Sequence, residues 1–258
     1  MSPSWHETVH VALLPGEALG VKYRAGLRPK ALAYSKLAGA GVAEVLADLG
    51  AAGNARISLT VSDRFVRLLL LRPSESLRAD SDWNGFAAHR FAEVFGGEMH
   101  SWHVRIASAA AGVPRLACAL DPSILESLSA ALASGGMKLI SLQPHFVRRF
   151  NALRGAIGKS PAWIVNHEPG GVVIGLLANG EWRLVRQRRV ESDWLDRLPG
   201  LLQREADLAG LSAPATNVFA ADLVDSGEPV RELGGFRISA TAAPRLSAPH
   251  AAFRMVLH

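Results

Sequence analysis

With 258 residues, 49% of them apolar, the chain can bury a core in one large or two small domains. Its formal net charge of +5 comes almost entirely from arginine, because Lys22, Lys30, Lys36, Lys138 and Lys159 are the only lysines and are scattered; an arginine- and alanine-rich balance of this kind reads first as composition, with a partner-facing basic surface as the alternative, and not as a nucleic-acid footprint. No window approaches the ~18 uninterrupted apolar residues of a membrane span, residues 1–7 lack a basic stretch leading into an apolar run, and Cys118 is the single cysteine, so an internal disulfide is excluded. These features point to a cytoplasmic chain in which Cys118 is a small core residue of an apolar strand.

Val9, Val11 and Leu13 alternate with His10, Ala12 and Leu14, and Pro15-Gly16 is turn chemistry, so Thr8 to Leu14 and Leu19 to Tyr23 form an expected β-hairpin. Residues 27–33 continue as a third, irregular strand. Leu37, Val42, Val45, Leu46 and Leu49 share one side of a helix over 37–49, stopped by Gly50 and Gly53, and Arg56 to Val61 is the next strand. Ser62-Asp63-Arg64 is a turn before a buried strand over 65–71 that ends at Arg72-Pro73. Trp83, Phe86, Ala87, Phe91, Val94 and Phe95 make one face of a helix. Trp102, Val104 and Ile106 alternate as a half-buried strand does, with 115–120 as the partner across a turn at 111–114. Asp121 caps a helix with Pro122 at its first position, where a missing N–H costs nothing. That helix ends near Gly135-Gly136; Lys138 to Leu142 is a strand, and Pro144 opens a helix carrying Phe146, Phe150 and Leu153.

Gly, Lys, Ser and Pro gather over 155–161, where periodicity stops, and mark a boundary. Beyond it Ala162 to Val165, Val172 to Leu177 and Trp182 to Val185 read as strands, the last two joined by the Asn179-Gly180 hairpin signal. Ser192 or Asp193 caps a helix running to about Ala209, interrupted at Pro199-Gly200. Residues 217–221, 230–233 and 236–240 are short strands, and the Ala/Pro-rich tail from Pro244 takes no assignment. Both halves read strands, helix, strand, compatible with a ribonuclease-H-like unit used twice.

Several motifs carry chemistry on paper only. His6-Glu7-Thr8-Val9-His10 matches the zincin pattern, which needs a helix; on a strand the two imidazoles lie ~13 Å apart, too far for one zinc. Gly158-Lys159-Ser160 resembles the end of a phosphate-binding loop, but Leu153 stands where its first glycine belongs and Pro161 removes an N–H. His100 and His103 flank Trp102 on opposite faces of a strand, His89 lies on a polar helix face, and the His167-Glu168 neighbours have no placed nucleophile.

The order strand, helix, strand, strand, helix, strand, helix over 61–153, with its punctuating residues, resembles the cytoplasmic actin-like domain of the PilM, MshI and GspL families of pilus and secretion assembly-platform proteins. The pieces that carry the resemblance are Ser62–Arg72, Ala88–Phe95, Leu116–Asp121, Leu125–Leu132, and Gly136–Leu139 through Pro144 and Asn151. It rests on pattern and turn residues, not on a catalytic signature. It implies an α/β actin-like ATPase fold of mixed sheets with two ribonuclease-H-like subdomains, 1–156 with a small α/β subdomain inserted at about 62–120, and 161–258. GspL-like proteins continue into a membrane helix and a periplasmic domain; this chain is expected to be more like PilM, or a stand-alone cytoplasmic part.

Actin-like ATPases place two glycine-rich hairpin turns around the phosphates, each led by an aspartate, and a Gly-Gly turn near the adenosine; backbone N–H groups hold phosphate and the aspartates organise Mg²⁺. This sequence departs at all three places. Leu14 stands where the first aspartate belongs, before Pro15-Gly16; the second turn, from Asn166 through Glu168 to Gly170-Gly171, has no aspartate and carries Pro169; the third reads Ala220-Ala221-Asp222. The expectation is a pseudo-ATPase with no catalytic residue, no metal and no cofactor, ATP included, although Glu168 and Asp222 are acids that could ligate a metal.

By the same resemblance the chain would be a non-catalytic scaffold of a type IV pilus or type II secretion assembly platform, held at the inner membrane through partners. It would bind a PilN-like or GspM-like tail and the motor ATPase, and Trp102, Val104 and Ile106 mark an edge strand able to accept a partner's strand. Two other classes compete. One is an active actin-like ATPase or sugar-kinase-like enzyme with divergent phosphate loops. The other is a nucleic-acid binder using Arg183, Arg186, Arg188 and Arg189, which a strand splits between two faces.

Overall fold

A computed structural model of the chain describes residues 7–24, 30–210, 215–220 and 230–240. The described residues fall into two compact units: 7–66 with 121–148, and 67–120 with 149–240.

The first unit is built on a five-stranded mixed sheet of β1 (Glu7–Leu14), β2 (Glu17–Arg24), β3 (Lys30–Ala38), β4 (Arg56–Val61) and β8 (Lys138–Pro144), in the order β3-β2-β1-β4-β8. The first three strands are antiparallel neighbours, whereas β4 runs parallel to both β1 and β8. Alternation in β1 sorts Val9, Val11 and Leu13 from His10, Ala12 and Leu14, and Ala12 joins Leu19 and Val21 in a buried cluster on its own face. Helix α1 (Val42–Asp48) lies against β1, β2 and β3 and beside α3 (Pro122–Gly135). Asp121 caps α3 by accepting the Ser123 N–H at 2.9 Å, Pro122 opens it, and Gly136 closes it with φ of 61°, as their residue types direct.

The second unit carries a six-stranded sheet of β9 (Ala162–Glu168), β10 (Gly171–Ala178), β11 (Glu181–Arg189), β12 (Asn217–Ala220), β13 (Val230–Leu233) and β14 (Phe236–Ala240), in the order β11-β10-β9-β12-β14-β13. Set β13 aside and the order is that of the first sheet, with β9, β10, β11, β12 and β14 in the places of β1, β2, β3, β4 and β8. Helix α5 (Trp194–Leu208) lays Leu198, Leu202 and Ala206 on the face that carries Trp163, Val165, Ile174 and Leu184. The same unit holds a three-stranded sheet in the order β5-β7-β6 (Val66–Leu71, Arg115–Leu120, His103–Ile106), covered by α2 (Asp80–Phe95) through Trp83, Ala87 and Phe91. Helix α4 (His145–Ile157) and β5 are the two elements within which the division between the units falls.

Four local expectations are corrected. Leu37 is not helical: β3 is a full strand whose ladder with β2 runs to Glu17↔Ala38, and the helix starts only at Val42, after Gly39 and Gly41. Pro199 does not interrupt α5, because the apolar face on either side of it is buried against the sheet, which offsets the ~3 kcal/mol of an interior proline. His100 lies in a short 3₁₀ turn (Gly97–Ser101) and not on a strand with His103. His167 and Glu168 belong to β9, which runs three residues beyond the expected end at Val165. Of the zincin-like motif His10 is on a strand, while His6 lies outside the described residues, as does the tail from Pro244. Among the described residues no helix is long and apolar enough to cross a membrane.

Gly20 pairs with Val11 and passes directly under α1, where a Cβ would stand 2.4 Å from Val45 Cγ1 and 2.6 Å from Leu49 Cδ1. Gly20→Ala is expected to lower unfolding free energy by ~1–3 kcal/mol through overpacking. Urea denaturation checks this, and an unchanged midpoint contradicts the close contact.

Candidate functional site

In both units the first two strands meet in the same tight turn. The β1–β2 ladder runs to Leu14↔Glu17 and leaves only Pro15-Gly16 between them; the β9–β10 ladder runs to Glu168↔Gly171 and leaves only Pro169-Gly170. Proline followed by a glycine at φ of 83° (Gly16) or 81° (Gly170) is the backbone of a type II turn. Each turn glycine also offers its carbonyl to the residue that ends the third strand: Gly39 N–H donates to Gly16 O at 2.7 Å, and Val190 N–H donates to Gly170 O at 3.4 Å. A turn of this kind has little to give an anion. Proline has no N–H, and the N–H of the fourth residue closes the turn, whereas a phosphate cradle needs several successive N–H groups aimed outward.

Beside the first turn, at the carboxyl ends of β1, β4 and β8, the chain makes a polar corner, the place where open α/β sheets bind ligands. Ser62 N–H donates to Leu13 O at 2.8 Å, and Ser62 Oγ accepts the Arg64 N–H at 3.1 Å. This aims Asp63, only 5% exposed, at the start of α4, where both carboxylate oxygens accept the Phe146 N–H, at 3.0 and 3.1 Å. A helix N-terminus attracts anions; here the protein's own carboxylate takes that position. Further along α4, Arg148 donates to Thr60 Oγ1 at 3.0 Å and lies 3.4 Å from His10 Nδ1, whose ring meets Tyr23 edge-on at 5.2 Å. Burial, helped by the neighbouring Tyr34, pushes the Tyr23 hydroxyl up to about 12, and burial also lowers the Arg148 guanidinium from its ordinary value.

In the second unit Asn166 and Glu168 point to one face of β9 and are buried, while His167 points to the other and stacks on Trp194 with ring centres 4.3 Å apart. The two neighbours therefore cannot act as a pair on one substrate atom. Ala220 is buried at the end of β12, and Asp222 lies outside the described residues. Val104 and Ile106 sit on β6, which pairs only with β7 among the described strands, and Trp102 just precedes it; all three side chains pack inward on the α2 core.

Three of the four arginines of β11 are committed to carboxylates. Arg188 donates through Nε and Nη2 to Glu205 Oε1 at 2.9 and 2.6 Å, Arg186 lies 3.6 Å from Oε2 of the same residue, and Arg183 pairs with Glu181 at 3.3 Å. Glu205 is buried on α5, and sequence reading missed it. An acid three positions after Leu202 and seven after Leu198, on the apolar stripe of a helix, was the available signal.

Two mixed sheets with one strand order, each with three antiparallel strands followed by parallel ones, define an actin-like ATPase fold. No family model matches the chain, and no curated protein matches its sequence. Solved structures do match in fold. The cytoplasmic domain of EpsL from Vibrio cholerae, an inner membrane component of the type II secretion system, aligns with a TM-score of 0.60 and 12% identity over 97% of this chain and 92% of that one. A PilM–PilN type IV pilus biogenesis complex aligns with a TM-score of 0.61 and 10% identity over 83% of this chain and 80% of the other. A Bacteroides thetaiotaomicron protein of actin-like ATPase fold and unknown function gives 0.55 at 10% identity over 84% and 82%.

Asp63→Ala leaves the Phe146 N–H buried without its acceptor. The expected loss is ~1.5–3 kcal/mol, the range for a hydrogen bond to a charged group. The urea midpoint of this variant against that of the wild type measures it, and a difference within error contradicts the capping role.

Proposed function

We propose that the chain is a non-catalytic actin-like scaffold, a pseudo-ATPase of a type IV pilus or type II secretion assembly platform. It acts on the cytoplasmic side of the inner membrane and reaches that membrane through a PilN-like or GspM-like tail, with the motor ATPase as a further partner. The observation that carries the proposal is the pair of closed Pro-Gly turns at the two hairpins where actin-like ATPases hold phosphate. Retaining the sheets while closing both turns favours a fold kept for its surfaces. The fold likeness to an inner-membrane secretion component's cytoplasmic domain and to a PilM–PilN complex supports the choice of system. The competing reading, an active actin-like ATPase or sugar-kinase-like enzyme, would need an anion cradle outside these turns.

The test is calorimetric titration of the purified chain with synthetic cytoplasmic tails of the PilN-like and GspM-like proteins encoded in the same genome, and with the motor ATPase. Saturable binding of one tail is expected. If neither the tails nor the motor binds, the scaffold assignment fails.

A further inference from the structure

The second unit has a cavity of about 470 Å³ between the end of β11 and α5, next to the Pro169-Gly170 turn, whose Gly170 carbonyl accepts the Val190 N–H. Its apolar floor is Val190, Trp194 and Leu201, and its rim is Arg189, Glu191, Arg197 and Arg204. Trp194, Arg197, Leu201, Arg204 and Leu208 follow one another at steps of three and four along α5, so they share a stripe beside the buried Leu198–Leu202–Ala206 face. Leu208 extends this stripe while 70% exposed. The floor is packed from behind: the Trp194 ring lies nearly parallel to His167, at 9°, and both Trp194 and Leu201 rest on the core of the sheet.

The charge of the rim is unbalanced. Arg197 pairs with Asp193 at 2.8 Å and with Glu191 at 3.8 Å, which accounts for the acids near the mouth. Arg189 and Arg204 have no ion-pair partner among the described residues. Two uncommitted guanidiniums over an aromatic and aliphatic floor match one chemistry: carboxylates flanking an apolar anchor. Aromatic and arginine residues together are also the composition of strong protein-binding positions.

We propose that this arginine-rimmed cavity is a docking site for an acidic protein segment, whose leucine or aromatic side chain enters between Val190, Trp194 and Leu201 while flanking glutamates or aspartates meet Arg189 and Arg204. The inference holds whichever system the chain serves and does not depend on the loss of nucleotide binding. A nucleic-acid strand is the less fitting occupant, because Arg183, Arg186 and Arg188 are committed to Glu181 and Glu205 and leave no continuous phosphate track.

Fluorescence anisotropy tests the proposal with the full chain and a short labelled peptide in which a Leu-Trp pair is flanked by glutamates. The expected result is saturable binding that weakens in high salt, weakens about tenfold in the Arg189→Glu/Arg204→Glu double variant, and is lost when lysines replace the peptide's glutamates. Leu201→Asp is expected to weaken it as well. Arg183→Glu, a charge reversal outside the cavity, is expected to leave affinity unchanged. Circular dichroism confirms that the variants fold, and Arg189 and Arg204 are exposed, so reversal of their charge leaves the core intact. The proposal is overturned if the wild type shows no saturable binding, if the folded double variant binds as well as the wild type, or if a single-stranded oligonucleotide binds more tightly and displaces the peptide.

Discussion

One hydrogen bond occurs twice and fixes the architecture around it: the carbonyl of the turn glycine, Gly16 or Gly170, accepts the N–H that ends the third strand, from Gly39 or Val190. A two-residue turn sets the register of its hairpin, and this contact sets the register of the third strand against the second. The parallel strand that follows, β4 or β12, then has one place left, against the free edge of the first strand. The duplication of the fold is thus visible at the level of single backbone atoms, between units whose corresponding turns share little beyond Pro-Gly. The same contact has a consequence for ligands, because it tightens the segment that an anion-binding loop would need to leave open.

Each unit also has one buried carboxylate whose role is structural. Asp63 holds the first turn of α4 from the end of β4, and Glu205 gathers Arg186 and Arg188 from β11 onto α5. Removing Asp63 would take an acceptor from the buried Phe146 N–H, a loss that is costly where water cannot replace the bond, whereas Arg186 and Arg188 are exposed enough to turn to water if Glu205 were removed. Neither acid stands at a hairpin turn. The acid that does, Glu168, occupies in the second unit the position that Leu14 holds in the first, so an acid at that corner is not something the fold itself requires.

The elements most legible in the sequence were those marked by backbone chemistry. Asp121-Pro122 and Gly136 bounded α3, Asn179-Gly180 turned β10 into β11 with both residues at positive φ, and Pro15-Gly16 closed the first hairpin. Those signals are local and leave few alternatives. Leu37 misled because an apolar residue at the start of an apolar stretch fits either period, and only the ladder with β2 decides. Pro199 misled because burial of α5 outweighs a local breaker. The Asp63 cap was out of reach, since its partner lies 83 positions further along the chain and no periodicity links the two. The cavity at α5 was equally hidden: its arginines come from a strand and a helix, and only the pairing of Arg186 and Arg188 with Glu205 shows which ones remain for a partner.

The account stands on closed turns where an actin-like ATPase would hold phosphate. Thermal unfolding of the full chain with and without saturating Mg–ATP tests that most directly. A ligand present at ~100 times its dissociation constant adds ~2.7 kcal/mol, which for a chain of this size raises the midpoint by roughly 5–10 °C. The account predicts coincident unfolding curves. A shift of that size would contradict it, placing an intact nucleotide site in a fold whose two Pro-Gly turns could not have supplied the cradle.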